Sequence, residues 1–272
     1  MNDALIVCQH AFGVVPDRIG AIAILMERGR TEQYKGAFDK ILYELRGGVY
    51  SGVTGLVSGT PVSAIYSKGP ADIADCVAFL GMSKTACRAV VSTGSIGGLG
   101  DTVGMGDFVL ATEAIGHDGY SQFIAREKGV RLPRRYDNVL QPRGDVVSAL
   151  ADAVERVAKE YGVHAHSGRI FTIPGVSLES EALLADLVGN GCIAIDMETA
   201  QFYAACHEWE FDSAAVHWVT DLPLTRSFFE RFRDPLQAKA DWDLKHPMWL
   251  NMAGIIVSVV RTYVEREHTD EH

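Results

Sequence analysis

The chain has no surplus of positive charge: 25 lysines and arginines stand against 35 aspartates and glutamates, for a net charge of −10 and a pI near 5.3. Proteins that grip a nucleic-acid backbone carry a basic footprint, so no nucleic-acid partner is expected. The acidic balance serves solubility, while local arginines can still hold a small anion. Long apolar runs are missing too. The run Met252 to Val260 includes Gly254 and Ser258 and falls far short of the ~18 residues of a membrane span. The N-terminus offers Asp3 and the brief run Leu5–Cys8 with no basic segment, so neither membrane nor signal peptide is expected. The five cysteines form no C-x-x-C pair and show no zinc spacing. Cys8, Cys76, Cys87, Cys192 and Cys206 sit in apolar stretches, where cysteine acts as a small hydrophobe. Reduced core thiols in a cytoplasmic protein are the expectation. Two nucleotide-binding motifs are absent: G-x-x-x-x-G-K-[ST] occurs nowhere, and G-x-G-x-x-G fails because Val103 stands where the glycine after Gly98 and Gly100 belongs.

What is present is an ordinary globular composition, 47% hydrophobic and 22% charged, with an excess of glycine: 27 of 272 residues, about 10% against an average of about 7%. Short apolar runs alternate with amphipathic ones. Strands are expected at Ala4–Val7, Val49–Leu56, Pro61–Ser67, Arg88–Thr93, Phe108–Ala114, Gly168–Ile173 and Ala214–Thr220, with a turn at Ser58-Gly59. Helices are expected from Pro16 to Met26, from Pro70, after a cap at Asp145, over Glu179–Val188 and Met197–Glu208, and from Met248 to Arg266. Arg126–Arg143 is polar and reads as a surface excursion. With no linker and no repeat, the chain reads as one domain, 1–272. The expected fold class is α/β, a three-layer α/β/α sandwich whose early hairpin makes the central sheet mixed.

Three clusters carry chemistry. The first is Ser92-Thr93-Gly94-Ser95-Ile96-Gly97-Gly98, an apolar strand ending in hydroxyls and glycines; such a turn either punctuates the chain or presents backbone N–H groups to an anion or a sugar. The second is Asp196-Met197-Glu198-Thr199-Ala200, two acids at a helix start. Acids there ordinarily complement the helix dipole; the functional alternative is a carboxylate gripping vicinal hydroxyls while methionine packs on the sugar. The third is Thr220-Asp221, at the C-terminal end of an apolar strand, where α/β sheets gather ligands and where an Asp before a proline loop is also a common cap.

In this order and spacing the clusters resemble the purine/uridine phosphorylase superfamily, which includes nucleoside phosphorylases and related nucleosidases. Gly94 to Gly98 matches its G-[ST]-x-G-G, Asp196 to Ala200 its E-M-E-[TAS]-A, Thr220-Asp221 its [ST]-D, and Pro16-Asp17-Arg18-Ile19 the second half of its G-D-P-x-R-[VI]. Thr54-Gly55-x-x-x-Gly59-x-x-Val62 also fits. The resemblance implies a nucleoside phosphorylase-like fold and cleavage of a purine–ribose bond, with Asp221 as the acid at purine N7. Thr93, Asp196, Met197 and Glu198 are then the ribose and base contacts, and Arg18, Gly94, Ser95 and Arg46 the phosphate contacts, Arg46 lent by a neighbouring subunit. It implies no metal or organic cofactor, inorganic phosphate as co-substrate, and a homo-oligomer, dimeric or hexameric; Phe171–Glu181 and Arg226–Arg233 are the segments expected to shape the base and 5′ pockets, with no contact assigned within them.

There are departures. Ser92 stands where phosphorylases place an arginine, Val14-Val15 replaces Gly-Asp, Asp196 replaces glutamate, and His217, to which no role is assigned, replaces an arginine of the nucleosidases. Hydrolytic members carry a water-positioning glutamate segment near the N-terminus, and nothing acidic lies between His10 and Pro16. Phosphorolysis is the leading expectation, hydrolysis the first alternative, and a catalytically silent nucleoside binder the second.

Overall fold

A computed structural model describes residues 3–26, 31–67, 70–130, 135–225 and 251–266. The chain opens with helix α1 (Asp3–Phe12) and a 3₁₀ turn at Pro16–Arg18. Strand β1 (Ile22–Met26), helix α2 (Thr31–Lys35) and strands β2 (Lys40–Arg46), β3 (Ser51–Val57) and β4 (Thr60–Tyr66) follow. Then come α3 (Pro70–Met82), β5 (Ala89–Gly98), β6 (Phe108–Gly116), α4 (Gly119–Glu127), β7 (Val139–Leu140), α5 (Val146–Glu160) and β8 (Ala165–Thr172). A 3₁₀ turn at Val176–Leu178 leads to α6 (Glu181–Gly189), β9 (Cys192–Asp196), α7 (Thr199–Glu208) and β10 (Asp212–Asp221). Residues 251–266 form a helix, α8.

The strands form one mixed sheet in the order β10-β6-β8-β9-β5-β1-β4-β3-β2, with β7 on β6. Because β10 also pairs with β5, the strands β5, β10, β6, β8 and β9 close into a ring, and β1, β4, β3 and β2 extend from it as an open wing. Two apolar cores cover its two faces. One unites α1, α3 and α7 through residues such as Phe12, Val77 and Phe202; the other unites α5 and α8 through Leu150, Val154 and Ile256. This is the α/β fold with a mixed central sheet that the alternation of elements implies.

Many expected elements recur. The β3–β4 hairpin turns at Ser58 and Gly59, both at positive φ, the mirror-image geometry that matches strand twist. Ile73, Val77 and Leu80 are fully buried on one face of α3. Asp145 precedes α5 as expected, although its side chain makes no capping bond.

Three expectations are corrected. The expected strand Ala4–Val7 is helical: Ala4, Cys8, Ala11 and Phe12 are buried while Ile6 is exposed, the i, i+4, i+7, i+8 pattern of one helix face. The expected helix Pro16–Met26 is a single 3₁₀ turn followed by a strand, β1. All five residues of β1 are buried between β4 and β5, and a parallel strand covered on both faces reads as unbroken apolar sequence. The expected glycine turn at Gly94–Gly98 is also strand: β5 continues through Gly98, paired with β10 on one side and with β9 at Gly97 and Gly98 on the other. The polar excursion encloses the end of α4 and all of β7. The edge strand β2, alternating charged residues with apolar ones, has no counterpart among the expected elements; Lys40, Glu44 and Arg46 give it the charged edge that discourages strand addition.

Candidate functional site

The site is set by a gap in strand pairing. On one edge of β5, β1 pairs as far as Met26↔Thr93, and β9 begins only at Ile195↔Gly97. Between them, among the described residues, no strand pairs with that edge at Gly94, Ser95 and Ile96. The gap lies where neighbouring strands part, the place at which open α/β sheets bind ligands. Thr93 stands at its lower lip; its hydroxyl is buried with no hydrogen-bonding partner among the described residues. A buried unpaired hydroxyl costs about 1–3 kcal/mol, which a ligand oxygen or nitrogen would recover. Ser92, one residue earlier and so on the opposite face, is likewise buried and unpaired.

The Asp196–Glu198 segment forms the opposite lip, and the structure divides its two acids. Asp196 is buried in a network beneath the site. One carboxylate oxygen accepts from the Thr172 hydroxyl at 2.7 Å. The other accepts from the Thr199 N–H at 2.9 Å and from the Thr199 hydroxyl. Thr172 in turn accepts from the Ala200 N–H at 2.9 Å, and the Thr199 hydroxyl meets His217 Nε2 at 2.8 Å. Asp196 is thus the acid that caps α7, the ordinary role of an acid at a helix start, and its oxygens face the protein. His217, fully buried, lies 3.9 Å from it. Burial pulls the His217 imidazole below its usual range, against the opposing pulls of Asp196 and Gly94. Glu198 sits at the N-cap position of α7, also buried, with one oxygen accepting from the Met197 N–H at 2.9 Å. Met197, half-buried, packs against the cluster of Phe171 and Ile195.

Asp221 closes β10 opposite Gly97, past an irregularity in register between Val219 and Asp221. Such bulges re-aim a side chain at a strand end. The Thr220 hydroxyl donates to Asp221 at 3.0 Å. A Cβ on Gly97 would lie 2.9 Å from Pro223 Cγ and 3.1 Å from Ile195 Cγ2; one on Gly98 would lie 2.9 Å from both Val103 and Val219. These two glycines let the 221–223 turn close over β5, a packing role where ligand approach was expected.

The two arginines fall elsewhere. Arg18 precedes β1, so the whole of that strand separates it from the gap, at least ~13 Å at about 3.3 Å per residue. Its guanidinium lies over the Tyr43 ring, 4.9 Å from the centroid. The fold does not bring Arg18 to Gly94 and Ser95 within one chain. Arg46 shares the sheet row Thr93–Met26–Tyr66–Ser51–Arg46 but four strands away, about 19 Å at ~4.8 Å per strand. It is exposed and paired with Glu44.

Two features are not legible in the sequence motifs. Glu179, after the 3₁₀ turn at Val176–Leu178, is half-buried between exposed neighbours. Burial, and then the Asp221 carboxylate, push its carboxyl up to about 7. Its signal in the sequence is an acid a few residues past a strand end, hidden beside the helix cap Ser180. The second is where β1 ends: Met26 pairs with Thr93, and the next residue in the sequence, Glu27, lies outside the described residues. Arg226–Arg233, expected to help shape the base and 5′ pockets, also lies outside them.

The fold is shared with solved structures of low sequence identity. A uridine phosphorylase from Vibrio fischeri superposes with a TM-score of 0.70 at 15% identity, covering 94% of this chain and 96% of that one. A 5′-methylthioadenosine/S-adenosylhomocysteine nucleosidase from Neisseria meningitidis gives 0.64 at 21%, covering 89% and 98%. A futalosine hydrolase mutant from Helicobacter pylori gives 0.65 at 17%, covering 90% and 98%. The sequence profile of the phosphorylase superfamily matches residues 19–240, a span that holds the gap in β5, the capped acids and Asp221 and leaves Arg18 just outside. This chain therefore belongs to the phosphorylase superfamily.

Proposed function

We propose that this protein cleaves the N-glycosidic bond of a purine nucleoside. The observation that carries the reading is the convergence of Thr93, Met197–Glu198 and Asp221 around one unpaired stretch of β5. Breaking a ribosyl–purine bond leaves an oxocarbenium-like sugar and a base that must be neutralised. Asp221, aimed by its bulge, is the acid for purine N7, a step whose catalysis contributes about 10²–10⁴-fold. Glu198 accepts the ribose 2′ and 3′ hydroxyls, Met197 packs on the apolar face of the sugar, and the Thr93 hydroxyl gains its partner from the ligand. Asp196 fixes the turn that carries Met197 and Glu198.

The nucleophile we assign is water. The expectation of phosphorolysis rests on Arg18 and Arg46, and β1 and the wing strands hold both away from the gap of their own chain. The sequence after β1 supplies Glu27, a residue type suited to activating water. Phosphate is the second reading, favoured by the exposure of Arg46 at the wing's edge, where it could enter the site of another copy in a homo-oligomer.

Release of free base from inosine, adenosine and methylthioadenosine, measured with and without inorganic phosphate, tests the proposal. Phosphate-independent release is expected, with Asp221→Asn slower by at least about 10²-fold. Strict dependence on phosphate would overturn water as nucleophile. No release from any of the three, with binding retained, would make the protein a nucleoside binder.

A further inference from the structure

We infer that His217 and Ser92 seat the attacking water, with His217 Nδ1 as the atom that takes its proton. The inference rests on the hydrolytic reading and deepens it. Water is a weak nucleophile, and a group that accepts its proton during attack speeds the step. Glu27 has a residue type for that role; His217 has the geometry.

Among the described residues, four buried side-chain polar atoms lack a hydrogen-bonding partner. Three of them crowd one stretch of sheet: Ser92 Oγ, Thr93 Oγ1 and His217 Nδ1. There β10 runs parallel to β5, with Ala215 beside Ser92 and His217 beside Gly94. Alternate residues of a strand share a face. Ser92 shares its face with Val90 and Ile96, and His217 with Ala215 and Val219, all four in the core that unites α1, α3 and α7. Ser92 and His217 are thus diagonal neighbours on one face, their Cα atoms ~8 Å apart at about 4.8 Å across strands and 3.3 Å per residue along them. One water can touch both polar atoms across such a span. Gly94, beside His217 on that face, adds no side chain, and it opens the unpaired stretch of β5. A buried water needs two to four polar partners, and here two wait unpaired.

The tautomer of His217 follows from its other partner. The Thr199 hydroxyl gives its single proton to the Asp196 carboxylate, so its oxygen accepts from His217 Nε2, 2.8 Å away. Nε2 therefore carries the proton of the neutral ring, and Nδ1 is a bare acceptor. Burial keeps the ring neutral, while the Asp196 carboxylate, 3.9 Å from Nε2, and the Gly94 backbone favour the charged ring once a proton arrives. A base held and braced by a further group is the general logic of an activated nucleophile. Thr199 adjoins Glu198, so the ring reaches from the ribose-binding segment to the gap in β5.

The step balances. The C1′–N9 bond breaks with its electron pair going to the purine, which takes a proton at N7 from Asp221. The water oxygen bonds to C1′, and one of its protons passes to His217 Nδ1. After the products leave, His217 loses that proton to solvent and Asp221 takes one up.

The test uses His217→Gln and Ser92→Ala in phosphate-free buffer, with whichever of inosine, adenosine and methylthioadenosine the wild type cleaves fastest. Glutamine can still donate to Thr199 and offers nothing at the place of Nδ1. Base release in His217→Gln should fall at least about 10²-fold. Sodium azide, an anion that attacks without shedding a proton, should restore it to within about tenfold of the wild type, with ribosyl azide as the product. Ser92→Ala removes an unpaired hydroxyl, so Tm should hold while kcat falls about two- to tenfold, as for one lost hydrogen bond. A wild-type rate in either variant, or a loss in His217→Gln that azide leaves untouched, would overturn the inference and leave the hydrolytic reading standing. A wild type that releases no base without phosphate would instead bring down that reading and this inference with it.

Discussion

Replacing Asp196 with asparagine separates two roles for this residue. If it held the ribose, the variant would fold as before and bind nucleoside poorly. In the structure it instead braces a turn, because its two oxygens accept from the hydroxyl of Thr172 and from the N–H and hydroxyl of Thr199. An asparagine oxygen can still serve Thr199. Its NH2 would then face the Thr172 oxygen, which already accepts from Ala200, and the Thr172 hydroxyl would lose its acceptor. One charge-assisted bond is lost at about 1.5–3 kcal/mol, and two others fall to neutral strength at about 1 kcal/mol each, a total of about 3.5–5 kcal/mol. At ~2 °C per kcal/mol for a chain of this size, Tm should drop by about 7–10 °C. Glu198 and Met197 sit on the turn that loosens, so kcat should fall along with the stability. Thermal unfolding by circular dichroism and steady-state kinetics on the same preparation check both. A variant with wild-type Tm and a KM raised about 100-fold would refute the capping role and return Asp196 to the ligand contacts.

Gly97→Ala sets a new Cβ 2.9 Å from Pro223 Cγ, about 0.6 Å inside ordinary carbon contact. Overpacking of this kind costs about 1–3 kcal/mol, and the displaced turn carries Asp221, so both Tm and the rate of base release should fall; a variant matching the wild type in both would remove Gly97 from the support of Asp221. At Asp107, burial pushes the carboxyl up, but the N–H of His164, the imidazole of His166 and the N–H of Gly104 together hold it below its usual range. A lowered folded-state pKa means stability that is complete above the unfolded value, ~3.9, and is lost as pH falls through the folded one. The Tm difference between wild type and Asp107→Asn should therefore be largest near pH 6 and shrink toward pH 3, and a difference independent of pH would exclude this contribution.

How far the sequence can be read depends on what sets each feature. The β3–β4 hairpin, α3 and α5 follow from local pattern and turn chemistry, because adjacent residues decide which face is buried and where the backbone reverses. The motifs around Gly94, Glu198 and Asp221 are legible because each joins an apolar strand to small or acidic residues within a few positions. β1 reads as a helix because burial on both faces erases the period that distinguishes strand from helix, and that reading puts Arg18 at the wrong end of the sheet. Gly97 and Gly98 look like free turn glycines until β9 and the 221–223 turn are seen to pack on them.

The sequence by itself determined the α/β class, the acidic balance of the chain, and the family to which it belongs, all properties of composition or of contiguous residues. Only the tertiary structure decided that Asp196 caps α7 and which end of β1 holds Arg18. Those are relations that the local sequence does not carry, as between Arg18 and Thr93, and strand order and register, fixed by the packing of the whole sheet, bring such residues together or keep them apart.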